Sequence, residues 1–493
     1  MSKLTLCGSV MRDILFEGAP LLSELLMREG IYHPHPCGGH GTCKKCAVKA
    51  EGALSPATEA EQRAGVRLAC QTTLLGDCNV FLPSLAPLQQ IEVDGSGSVS
   101  ALHPVAGHFG AALDIGTTSL ALRLYDLHTG RILAHAAGAN PQSAIAADVM
   151  GRISAALEGK LAHLQGMVQK AVSALLKDLC KGGGIGLTQL DVLSITGNTT
   201  MLYLLMGKRP ESLARAPFQA DCLFGSWAEA LGLRAYLAPC MSAFVGGDIS
   251  CAVLSTGMCS RSETSLLTDI GTNGEIALWH QGRLLVSSTA AGPAFEGSGI
   301  HMGCASVPGA IDRVWLENGR LQCHTINNAP PVGICGSGLM DAIAVLLLQG
   351  RIDETGYSEE EVLTLTPEVY LLQRDVRNVQ LAKAAIAAGI KTMLESAGIT
   401  PADVKRLYIA GGFGRHLHFQ SALEIGLFPL EWKGRETVVG NAALAGAGML
   451  LLDETLIEQA SALAKAAVHI PLGGSARFAD YYMEEMMFPH PNQ

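Results

Sequence analysis

The sequence predicts a multidomain α/β protein, and three observations carry that reading. Five of fourteen cysteines crowd between Cys37 and Cys78, and from Phe109 onward strand-like and helix-like runs alternate. The string Asp-Ile-Gly-Thr, followed by a polar residue and a strand-like run, occurs at Asp114 and again 155 positions later at Asp269. Alternation argues for packed α/β layers, and a repeat at that distance argues for two related lobes. A chain of 493 residues has room for both lobes and a separate cysteine-bearing unit.

Composition narrows the function classes. Hydrophobic residues make up 48% and charged residues 16%, which fits a well-buried globular chain and excludes a solvated disordered one. The formal net charge of -10 repels phosphate backbones, so no nucleic acid partner is expected. The mean hydropathy of +0.27 raises a membrane reading, but the uncharged apolar stretch from Ala442 to Leu452 has only 11 residues. A spanning helix needs about 20, so no membrane is expected. Arg12, Asp13 and Glu17 stand where a secretory apolar core would lie, so no export signal is visible and the cytoplasm is the expected compartment. Cysteines in such a chain read as reduced thiolates, some of them on metal.

Along the chain, a first domain is expected at 1–84, opening with strands at Leu4 to Cys7 and Ile14 to Phe16. A helix from about Pro20 to Glu29 then places Leu21, Leu22, Leu25 and Leu26 on one face. The Gly/Ser-rich DGSGSVS at 94–100 marks a flexible linker over 85–108. The first lobe is placed at 109–245 and the second at 246–493, with a C-terminal return to the first.

Cys37, Cys43 and Cys46 form C-x5-C-x2-C, and Cys70 follows after 23 residues. Three thiolates on a loop containing Gly38, Gly39 and Gly41, with a fourth from a distant strand, can enclose a compact metal cluster. The plant-type ferredoxin spacing is one residue shorter in the first gap. This pattern resembles the 2Fe-2S ferredoxin family, on a β-grasp fold, in its C-x5-C-x2-C branch. A four-cysteine zinc site is the alternative, although zinc sites usually pair two Cys-x2-Cys knuckles and here the fourth cysteine stands alone. His40 reads as a loop residue, and Cys7 and Cys78 as core residues in apolar strands.

In the first Asp-Ile-Gly-Thr copy, Gly116 allows close backbone approach while Thr117, Thr118 and Ser119 offer amides and hydroxyls to phosphate oxygens. Asp114 can hold Mg2+, a hard ion that prefers oxygen ligands. Asp269, Gly271, Thr272 and Asn273 repeat these parts. One copy alone reads equally as a plain turn. With LSITGNTTMLYLL at 193–205, LYIAGGFGRHL at 407–417 and VGNAALAGAGML at 439–450, the chain resembles, in order, the phosphate 1, connect 1, phosphate 2, adenosine and connect 2 motifs of the actin, sugar kinase and Hsp70 superfamily. That resemblance implies ATP with Mg2+ between two actin-like lobes, with Gly411, Gly412 and Phe413 beside the adenosine. Gly336 and Ser337 would lie near the nucleotide and Glu296 near the cleft; otherwise their strings are lobe-packing turns. Asp248 either faces the metal or belongs to a hinge.

A ferredoxin unit joined to such an ATPase is similar to the reductive activators of corrinoid proteins. Strings carrying the likeness are the four cysteines, DIGTTS, GNTTM, DIGTNGE, GPAFEG and AGGFG. It implies an ATP-dependent enzyme that takes an electron from a low-potential donor and reduces the Co(II) corrinoid protein of a methyltransferase system to Co(I). Asp114 and Asp269 would be the catalytic carboxylates that hold Mg2+ and orient water. A possible homodimer stays open. Relatives are implied to carry a separate middle domain, which the 24 residues of 85–108 leave no room for, so its absence is expected. The rival readings are an ATP-dependent activator of a radical dehydratase, a nucleotide- and redox-sensing binding protein, and a sugar kinase.

Overall fold

The computed structural model describes the chain apart from residues 9, 30, 32, 34–40, 42, 43, 45, 83–91, 413–416 and 490–493. Of the expected site residues, Cys37, Cys43 and Phe413 lie outside the described residues, as does His40.

The N-terminal unit is built from β1 (Ser2–Gly8), β2 (Arg12–Phe16), α1 (Leu22–Arg28), β3 (Ala47–Leu54), α2 (Glu59–Ala64), β4 (Arg67–Leu68) and β5 (Leu74–Leu82). Its five strands run in the order β2-β1-β5-β3-β4, with β1 parallel to β5 and antiparallel to β2. Period-two alternation turns Leu4 and Leu6 of β1 and Ile14 and Phe16 of β2 onto one core with Leu22, Leu25 and Leu26 of α1. The helix begins at Leu22 because Leu21 is extended and bridges to Thr73. Cys78 shares that core, and burial, with the Asp77 charge beside it, pushes its thiol up to about 11, so it stays neutral. Cys7 departs from the core expectation: with Leu4 and Leu6 inward, alternation leaves it only partly buried.

The first lobe opens with an antiparallel meander of β6 (Phe109–Ile115), β7 (Ser119–Asp126) and β8 (Arg131–Ala139). Then follow α3 (Val149–Ala155), α4 (Leu161–Gly182), β9 (Leu190–Gly197), α5 (Thr199–Leu205), α6 (Glu211–Ala214), β10 (Ser226–Ala230), β11 (Leu233–Leu237) and α7 (Gly247–Thr256). Leu164, Val168, Val172, Leu176 and Leu179 recur at helical spacing on α4 and seal one sheet face. The second lobe repeats the meander in β12 (Ser265–Ile270), β13 (Gly274–His280) and β14 (Arg283–Thr289). A side sheet of β15 (Ala310–Glu317), β16 (Arg320–Thr325) and β17 (Gly333–Ile334) precedes α8 (Gly336–Leu348). The hairpin β18 (Val362–Thr364) and β19 (Tyr370–Leu372) leads into α9 (Gln373–Ala397) and β20 (Arg406–Ala410). The chain closes with α10 (Phe419–Glu424), β21 (Glu436–Gly440), α11 (Ala442–Leu452), α12 (Thr455–Ala466), β22 (Val468–His469) and α13 (Ala476–Glu484).

The main sheets run β10-β11-β9-β6-β7-β8 and β21-β20-β12-β13-β14-β22. In each, a parallel strand flanks the first meander strand: β9 beside β6, and β20 beside β12. The internal repeat is therefore a repeat of topology, and it sets both Asp-Ile-Gly-Thr turns at equivalent hairpins. No helix among the described residues is long and apolar enough to cross a membrane.

Helix α11 leaves the second sheet and packs on α7 and the sheet of the first lobe, the expected C-terminal return. Its glycines set the approach: a Cβ on Gly446 would meet the Cys251 carbonyl oxygen at 2.0 Å. Gly446→Ala is expected to destabilise the fold by about 1–3 kcal/mol through overpacking, lowering the thermal midpoint. Gly166→Ala, at an exposed α4 position with open space around it, should instead leave stability unchanged or raise it by up to about 1 kcal/mol. Thermal denaturation of both variants checks the contrast.

The linker expected over 85–108 is corrected in its described part. Ser96 donates its N–H to the Val439 carbonyl at 3.0 Å, and Asn441 donates to Asp94 at 2.8 Å. Farther on, His103 and Val105 donate to Leu452 and Leu451, each at 3.0 Å. Arg123 Nε donates to the Val93 carbonyl at 2.7 Å. Gly95 abuts the Asn441 carbonyl so closely that a Cβ would sit 2.1 Å from it. The glycine and serine content that reads as looseness serves close backbone approach: residues 92–108 form a strap fixed to the ATPase lobes.

Candidate functional site

Each hairpin turn is closed by its glycine. The Gly116 N–H donates to Ser119 O at 2.9 Å, and the Gly271 N–H donates to Asn273 O at 3.0 Å. The two turns face each other across the lobes, with Thr118 Oγ1 and Thr272 Oγ1 3.3 Å apart. Between them lies a cleft with a cavity of about 190 Å3. Asp114, Gly116, Thr117, Thr118, Ser119, Asp269, Gly271, Thr272, Asn273, Gly336, Ser337, Gly411 and Gly412 all line it. Sequence positions some 300 residues apart thus converge on one cavity. Asp248, in the first turn of α7, and Glu296 line it as well. Gly411 has φ +90, and a Cβ there would meet Asp269 Oδ1 at 2.5 Å, so glycine is required on both counts.

The charge in this cleft is one-signed. No lysine or arginine is among its described lining residues. Burial pushes Asp114 up to about 6 against the opposing Asn441 donor. Burial, then the charges of Asp114 and Glu296, push Asp269 up to about 7. Asp248 is raised by burial and then by Asp114, and Glu275 by burial and then by Asp248 and Asp269. Among the described residues no three acidic, histidine or cysteine side chains stand close enough to hold a metal ion by themselves, so Mg2+ in this cleft would take a carboxylate oxygen together with phosphate and water oxygens, as a hard ion that keeps its waters does.

Several residues beyond the expected set build the site. Asn198 accepts the Met201 N–H as N-cap of α5 and donates Nδ2 to Thr117 Oγ1 at 3.1 Å. Asn441 does the same for α11, accepting from Leu444 and donating to Asp114 Oδ2 at 3.0 Å. Both follow a strand-ending glycine, so a Gly-Asn pair before an apolar run was the available signal. Fully buried Arg152 donates to the Thr117 carbonyl at 2.6 Å and fixes the first loop from behind. Glu92 of the strap also reaches the cleft.

In the N-terminal unit, the Cys46 and Cys70 sulfurs lie 3.3 Å apart, buried and without a disulfide. The Ala69 N–H donates to Cys46 O at 3.0 Å, which ties together the two segments that carry these cysteines. Glu61 secures the approach to Cys70 by accepting the Leu68 N–H at 2.7 Å and the Thr58 N–H at 2.8 Å. Burial alone would raise Glu61, but the Leu68 and Thr58 donors prevail and hold its carboxyl below the usual range. Two adjoining thiols in a dry pocket fit the soft ligand set of an iron–sulfur cluster.

Comparison with known proteins places this geometry. Residues 13–75 match the 2Fe-2S iron-sulfur cluster binding domain, 109–261 the RACo middle region, and 263–493 the C-terminal domain of RACo, the ASKHA domain. The corrinoid activation enzyme RamQ of Eubacterium limosum is 32% identical over 77% of this chain and 70% of its own. The chain belongs to the RACo family of reductive activators of corrinoid proteins. A Methanosarcina barkeri [Co(II) methylated amine-specific corrinoid protein] reductase is 25% identical over 77% of each chain. A solved reductive activator for corrinoid, iron-sulfur protein superposes with TM-score 0.72 at 27% identity, covering 99% of both chains. The RACo middle region falls on the first lobe, which opens with β6 at Phe109. Membership brings a 2Fe-2S cluster-binding domain and an ATP-binding ASKHA fold, and its activity is ATP-dependent reductive activation.

Proposed function

We propose that this chain passes single electrons from a low-potential donor to a corrinoid protein of a methyltransferase system, returning Co(II) to Co(I) at the expense of ATP. The reading rests chiefly on the two phosphate hairpins meeting across one cleft, with their threonine hydroxyls 3.3 Å apart. Cys37, Cys43, Cys46 and Cys70 hold the 2Fe-2S cluster, which when bound supplies a one-electron store. Asp114, Asp248 and Asp269 are the carboxylates that would hold Mg2+, together with phosphate and water oxygens. Thr117, Thr118, Ser119, Thr272 and Asn273 donate to the phosphates of ATP. Gly411, Gly412 and Phe413 would bind the adenosine, with Gly336 and Ser337 also contributing to the nucleotide site. Asn198 and Asn441 act as positioning residues, keeping the Thr117 hydroxyl and the Asp114 carboxylate aimed inward. Because both lobes contribute phosphate donors, ATP binding favours the closed arrangement and hydrolysis releases it.

Anaerobic incubation of the full chain with a reductant and a Co(II) corrinoid protein, followed optically, tests the proposal. Co(I) should accumulate only when ATP and Mg2+ are added, and the corrinoid protein should stimulate ATP turnover. Nucleotide binding without turnover, or Co(I) formation at equal rates without ATP, overturns it.

A further inference from the structure

Glu296 ends the short turn Pro293–Glu296 that follows β14, and its carboxylate spans the interlobe gap. Thr118 Oγ1, from the first hairpin, donates to its Oε2 at 2.8 Å, and Thr272 Oγ1, from the second, donates to its Oε1 at 3.1 Å. One anionic group therefore accepts one hydroxyl from each lobe, one on each of its two oxygens. Two oxygens of a terminal phosphate would accept from the same pair in the same way, so carboxylate and phosphate compete for one pair of donors. The Gly271 backbone lies against the carboxylate too: a Cβ there would stand 3.6 Å from Oε1.

We propose that Glu296 is a specificity-determining stand-in for the terminal phosphate, holding the two hairpins together in the nucleotide-free cleft until ATP displaces it. The inference rests on the ATP reading above and adds a discrimination to it. ADP lacks the group that competes with the carboxylate, so Glu296 burdens ATP binding and leaves ADP binding alone. Without nucleotide the carboxylate links the two hairpins through its two hydroxyl contacts, and ATP replaces that link with the phosphate contacts that favour closure.

Calorimetric titration of the full chain with Mg2+ and either ADP or the β,γ-imido analogue of ATP tests this. Glu296→Ala should tighten the analogue by about tenfold and shift ADP by less than about twofold, since two charge-assisted hydrogen bonds no longer have to be broken. Glu296→Gln, which loses the charge but keeps one acceptor oxygen, should fall between. If the alanine variant does not fold, Glu296→Asp, one methylene too short to reach both hydroxyls, is read in the same way. Equal shifts for both nucleotides, or weaker binding of the analogue, overturn the stand-in role. Wild-type protein that binds neither nucleotide would instead remove the ATP reading on which the inference rests.

Discussion

Asp269→Asn is expected to lower ATP hydrolysis, and the ATP-dependent formation of Co(I), by at least about a hundredfold while the cluster spectrum stays intact. The carboxylate sits at the end of β12, its Oδ1 facing Gly411, with Asp114 across the cleft. Amide in place of carboxylate keeps the shape but removes a full negative charge from the proposed Mg2+ site, and metal-assisted phosphoryl transfer depends on such electrostatic positioning. Stability should move the other way. The folded-state pKa is raised to about 7, so the unfolded chain ionises first and stability falls as pH rises from about 4 to about 7. Without Mg2+, the asparagine variant should therefore melt higher than wild type at pH 8, with the gap closing towards pH 4. Steady-state ATPase assays and metal-free melting curves check the two halves. Retained turnover would remove Asp269 from the chemistry.

Cys70→Ala is expected to abolish visible absorbance and reduce Co(I) formation by on the order of a hundredfold or more, while ATP binding in the cleft remains. Even changes in the shell behind a metal ligand cost roughly 10- to 100-fold, and loss of a ligand should cost no less. Cys70 is 4% exposed with its sulfur against Cys46, so no solvent ligand has easy access to replace it. Iron analysis of anaerobically purified wild type should give about two irons per chain. Zinc in their place, with colourless protein, would sink the redox role altogether.

Much of this molecule was legible because its chemistry needs particular residues at fixed places. An Asp-Ile-Gly-Thr hairpin needs glycine at its turn and a carboxylate at the strand end, so both copies stand out, and all described residues drawn from them line the cleft. Cysteine spacing was equally plain. Asn198 and Asn441 escaped notice because an N-cap asparagine is ordinary, and its second hydrogen bond exists only once the strands are aligned. Arg152 lies on α3, away from any motif, and its contact with the Thr117 carbonyl belongs to tertiary packing. The strap misled for a different reason. Gly95 and Ser96 have linker composition, and only the neighbouring strand β21 shows that they are hydrogen-bonded.

That strap limits how far the electron carrier can roam. Ten peptide units separate Leu82, where β5 ends, from Glu92, whose Cβ stands 3.6 Å from the place a Cβ on Gly412 would take. Fully drawn out, they span at most about 36 Å. The end of β5, and the N-terminal unit with it, is thus leashed to the cleft lining at Glu92 and cannot stray from it by more than that length.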